Sequence, residues 1–194
     1  MGIMRQIFGP SREEIWRQLC DETGAQIVKG TWLRGSKVVA KHGDWTVTLD
    51  NFVVSTGKTM IVFTRIRAPF MNPGGFRFSV HRRNLFTGLG KFFGMQDVEV
   101  GHAKFDHDFV IQGTDEAKLK RLFANPKIRE LIAAQPRILF AVRDDEQGLG
   151  KQLPEGVDQL FFRVPGVLKD VKRLKQLYEL FAETLEELGR LNAK

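Results

Sequence analysis

The sequence predicts an α+β fold: a largely antiparallel sheet with a short N-terminal helix, two short mid-chain helices and a long C-terminal helix packed on the sheet. Three observations carry this. Between residues 26 and 67 the period changes to two, in segments rich in β-branched and aromatic residues that are separated by short turn compositions. Two helix-start signals stand close together in mid-chain. From Val167 to Leu188 the apolar positions Val167, Val171, Leu174, Tyr178, Phe181, Leu185 and Leu188 step by four and three alternately.

Ser11 and Glu14 form an S-x-x-E capping box after Pro10, which predicts a helix over about 11–22 ending near Gly24. Segments 26–33, 37–41, 45–49, 52–56 and 59–67 are rich in β-branched and aromatic residues and predict strands of an antiparallel meander. The intervening RGS, HGD, DN and TGK are turn compositions. A further strand is expected at 76–82, and another at 105–112 (FDHDFVIQ). Thr114, Asp115 and Glu116 put acids at a helix start, and Asn125-Pro126 supplies an N-cap with Pro in the first helical position. Helices over about 115–123 and 126–134 follow, then strands near 137–143 and 159–164. The last helix is expected to lie across the sheet, with a dimer seam as the alternative and therefore an oligomer formed through it.

A chain of 194 residues is expected to form one domain, 1–194. Sixteen Phe against one Tyr favour dry core or a greasy cavity over polar aromatic recognition. The single cysteine, Cys20, allows no disulfide within the chain and reads as a structural thiol on the first helix. No apolar run approaches the ~20 residues of a membrane span, and residues 1–14 lack a signal region. Gln6 stands where a myristoylation pattern needs Ser or Thr. The expected location is the cytoplasm.

Catalytic patterns are weak, so no catalytic residue, cofactor or metal is predicted. If 105–112 is a strand, Asp106 and Asp108 face away from His107, and the three cannot converge. The four histidines show no metal-ligand spacing, and GLGK at 88–91 has Leu85 and Phe92 where a phosphate loop needs Gly and Ser or Thr.

The charge distribution is more informative. From Asn51 through Gln96 there is no Asp or Glu, while Lys58, Arg65, Arg67, Arg77, Arg82, Arg83 and Lys91 carry seven positive charges, equal to the net +7 of the whole chain. If the strands bearing Arg65, Arg67 and Arg77 pair, a single basic patch results. Lys169, Lys172 and Arg173 at the start of the last helix add a second anion-attracting group, against the preference of the helix dipole. Such a patch would draw phosphates, a polyanion or anionic lipid headgroups. The alternative is a solvated face balanced by acids such as Asp144, Asp145 and Glu146. Beside it, the Gly- and Phe-rich 84–95 could be an interfacial wedge or a buried irregular loop.

The runs GDWTVTLD (43–50), TRIRAPF (64–70), GMQDVEVG (94–101) and FDHDFVIQG (105–113) together resemble an uncharacterised family of bacterial conserved hypothetical proteins. The similarity runs over most of the chain and implies a bacterial protein of one domain, with no activity attached. Three functional expectations stand: a non-catalytic module whose basic 58–91 region docks on an anionic partner; a carrier of an apolar ligand between sheet and last helix; and an enzyme built on His102, Asp106 and Asp108.

Overall fold

The computed structural model describes residues 9–31, 35–55, 57–83, 95–144 and 153–192. Among these, β1 (Gln26–Val28), β2 (Lys37–His42), β3 (Trp45–Ser55), β4 (Met60–Met71), β5 (Phe78–Arg82), β6 (Gln96–Asp97), β7 (Phe109–Gly113), β8 (Leu139–Arg143) and β9 (Val157–Pro165) form one antiparallel sheet. Its order is β1-β2-β3-β4-β9-β8-β5-β7-β6. The helices are α1 (Arg12–Thr23), α2 (Ala103–Asp108), α3 (Glu116–Ala124), α4 (Pro126–Ala133) and α5 (Val171–Asn192). The class is α+β.

Local chemistry accounts for the helix boundaries. Both arms of the capping box form: Glu14 N donates to Ser11 Oγ at 3.2 Å and Ser11 N to Glu14 Oε2 at 2.8 Å. Gly24 closes α1 at φ 71°, a conformation that favours glycine. Asn125 ends α3 and starts α4, its Oδ1 accepting from Lys127 N at 2.9 Å.

The core lies on one face of the sheet. Ile66, Ala68, Phe78, Val80, Phe140 and Phe162 meet the inner stripe of α5, where Leu174, Leu177, Leu180, Phe181, Leu185 and Leu188 are all buried. Phe140 lies edge-on to Phe181 at 5.6 Å and to Phe78 at 5.8 Å. The last helix therefore packs on its own sheet.

Four sequence expectations are corrected. Asp50 and Asn51, expected as a turn, lie inside the continuous β3, because cross-strand partners satisfy them there. Asp50 bonds Arg65, and Asn51 Nδ2 donates to Thr64 Oγ1 at 3.0 Å. The strand expected over 26–33 spans only Gln26–Val28 among the described residues. FDHD is not strand: α2 occupies 103–108, and β7 begins at Phe109. Asp106 makes the difference, accepting from Val100 N at 2.9 Å and His102 N at 2.8 Å, which ties the chain into a turn. Finally, β4 and β5 do not pair, since β9 and β8 lie between them.

Candidate docking face

Eight of the nine cations expected to bind an anion lie among the described residues, and these separate into three groups. Arg65 and Arg67 project from the sheet face opposite the helices, and both reach Asp50. Arg65 makes a two-pronged contact at 2.8 and 2.7 Å, and Arg67 Nη2 stands 3.2 Å away. On this face Arg65 also lies over Phe52 at 4.6 Å, and Arg163, from the intervening β9, lies over Phe63 at 5.0 Å. Burial, and secondarily Arg143, lowers the pKa of Arg163.

Arg77 sits at the other end of the sheet. It bonds the buried Asp158 at 3.3 Å and pairs with Asp144 at 2.8 Å, as the balanced reading of the basic segment anticipates for Asp144. With Asn72, these residues line a cleft of about 380 Å³.

The remaining described members collect where β4 begins and β9 ends. His81 pairs with Leu139, and Leu139 with Arg163, so the end of β5 and the start of β8 share this edge. Here three guanidiniums hydrogen-bond neutral oxygens. Arg82 donates to the carbonyls of Gln135 (3.0 Å) and Ala133 (2.8 Å), at the C-terminal end of α4. Arg83 donates to those of Asp106 (3.1 Å) and His107 (3.3 Å) at the end of α2. Arg173 reaches Gln135 Oε1 at 2.8 Å and the Arg137 carbonyl at 3.1 Å. Helix C-termini favour such cations, and a guanidinium bonded to a carbonyl keeps its charge. Burial lowers the pKa of Arg173, with Asp170 acting the other way.

Lys169 and Lys172 are exposed at the same end. Lys169 precedes α5 rather than belonging to it, and Asp170 caps the helix by accepting from Arg173 N at 3.0 Å. The helix start thus holds its own carboxylate. The glutamates near the other end of α5 also have partners: Glu186 bonds His42 at 3.0 Å and Glu183 contacts Asn125 at 3.5 Å. Lys91 and most of 84–95 lie outside the described residues, as do Asp145 and Glu146.

The sequence reading missed the apolar part of this end. The β3–β4 hairpin carries Lys58 beyond its strands, and behind it Val53, Met60, Ile61 and Val62 are exposed. Val167 joins them, because Gly166 N donates to the Val62 carbonyl at 2.8 Å. Five of the eight exposed large hydrophobic side chains among the described residues are here, so the exposure is concentrated rather than scattered. The signal was present: MIVF (60–63) and FVV (52–54) interrupt the apolar–polar alternation that a half-buried strand shows.

His102 and Asp108 line a second cleft of about 390 Å³ between α2 and α4, with Phe105, Arg129 and Glu130. Asp106 is not among its lining residues; its two oxygens are taken by backbone amides. Asp108 instead bonds His107 at 3.0 Å, which lowers its pKa. Of the three residues suggested by sequence, this cleft brings together His102 and Asp108. Burial raises the Cys20 pKa, which does not favour a nucleophile.

Compared with known proteins, the chain matches no family model, and no curated protein and no solved structure matches it.

Proposed function

We propose that the protein is a non-catalytic binding module that docks the β4-start end of its sheet on an anionic partner. The observation that supports this reading most is the bonding of Arg82, Arg83 and Arg173 to neutral oxygens at the end that also bears Lys58, Lys169 and Lys172. Arg65, Arg67 and Arg77, by contrast, meet carboxylates. The proposed surface is therefore a subset of the basic residues, without Arg65, Arg67 and Arg77.

Attraction of this kind steers the partner from a distance and weakens as salt shortens its range. Lys58, Lys169 and Lys172 are exposed, so reversing them probes the surface without disturbing the core. Retention on immobilised heparin, a soluble polyanion held on beads, is expected to fall with salt and to drop sharply in Lys58→Glu/Lys169→Glu/Lys172→Glu. Equal retention of variant and parent would refute the reading.

A further inference from the structure

We infer that the anionic partner is a lipid surface, and that the β3–β4 hairpin enters its headgroup layer as an apolar wedge. This rests on the docking reading above and goes further by naming the occupant. Among the described residues the register sets the hairpin apart: β2 pairs with β3 only as far as Leu49, and β9 with β4 only from Phe63. Val53 opposite Val62, Val54 opposite Ile61 and Ser55 opposite Met60 therefore form a two-stranded ribbon beyond the sheet body.

A ribbon of two strands is marginal in water by itself, and exposed apolar strands invite association. Alternation distributes its apolar residues between two faces. Val53, Met60 and Val62 lie on the side of the helices, and Ile61 on the opposite side. Met60 is 75% exposed and Val53 50%. A flat protein surface covers one face of a ribbon, whereas a fluid lipid layer surrounds both.

The charges complement such a layer. Lys58 lies at the turn, Lys169 and Lys172 follow Val167, and no acid occurs between residues 51 and 96. Lysine stems can lie along the apolar side chains while their ammonium groups reach lipid phosphates. The polar turn residues Ser55, Lys58 and Thr59 keep the ribbon out of dry hydrocarbon. Three residue pairs span roughly 10 Å, comparable to the depth of about 5–10 Å at which interfacial elements sit.

The test uses the full chain with phosphatidylcholine vesicles, with or without phosphatidylglycerol, and heparin binding in parallel. Co-sedimentation is expected only with phosphatidylglycerol. Met60→Ser/Ile61→Ser should reduce it by about tenfold or more while heparin retention is unchanged. In a separate variant, Met60→Trp, fluorescence should shift to the blue on adding these vesicles. Parent-like sedimentation of the serine variant, or no blue shift, overturns the wedge. Heparin binding without vesicle binding also overturns it and leaves the docking reading standing, whereas binding to neither removes both. A parent dimer that becomes monomeric in the serine variant assigns the hairpin to a second copy, against the inference.

Discussion

Asp50 and Arg65 face each other across β3 and β4, with Nε and Nη2 of the guanidinium donating to the two carboxylate oxygens at 2.8 and 2.7 Å. Arg65 is 8% exposed and lies over the Phe52 ring, so this pair is part of the sheet rather than a reserve of charge. Removing one member leaves the other buried without its counter-charge. Asp50→Asn is expected to cost about 3 kcal/mol, read as a lower urea midpoint at unchanged slope. A loss below about 0.5 kcal/mol would place the pair with weak, solvent-screened ones.

Gly113 ends β7 against α3. A Cβ there would stand 2.6 Å from Leu119 Cδ1 and 3.1 Å from the Arg77 carbonyl. Gly113→Ala is therefore expected to lower stability by about 1–3 kcal/mol through overpacking, checked by thermal unfolding. Unchanged stability would show that Leu119 rotates away freely.

His81 sets a pH dependence. Burial lowers its pKa below the ordinary 6.5; Asp97 acts upward and Arg83 further downward. The unfolded chain thus takes up this proton more readily than the folded one. The residue's contribution to stability is intact above the unfolded pKa and declines as pH falls below about 6.5 toward the folded value. His81→Asn should flatten unfolding free energy measured between about pH 7.5 and 5.5. A variant with the parent's pH profile would contradict this assignment.

The positions of the cations predict a contrast between the two ends of the sheet. Arg77→Gln should leave retention on heparin unchanged, since its neighbours Asp144 and Asp158 oppose an anion. Lys169→Glu/Lys172→Glu should reduce retention, with the loss shrinking at high salt. The reverse order would move the docking face to the Arg77 cleft.

The long helix was legible because its stripe repeats over several turns and one face has only the sheet to cover. The caps were legible for a similar reason: Ser11, Glu14 and Asn125 act within three residues. Asp50 and Asn51 misled because their turn preference is local, while Arg65 and Thr64, which hold them in the strand, are distant in sequence. FDHD misled differently, since its alternation is equally short in a strand and in a six-residue helix. The bond from Asp106 back to Val100 and His102 decides between them. Strand order was beyond local patterning: nothing near Arg65 or Arg77 indicates that β9 and β8 will separate them. The basic segment was visible as a segment, but its division into spent and available charge depends on those long-range partners.

Hydrogen–deuterium exchange with and without anionic vesicles tests the docking face most directly. Slower exchange is expected in 53–62 and 166–173, with no change in 72–77 and 153–158. Protection confined to the Arg77 end, with none in the β3–β4 hairpin, would contradict it.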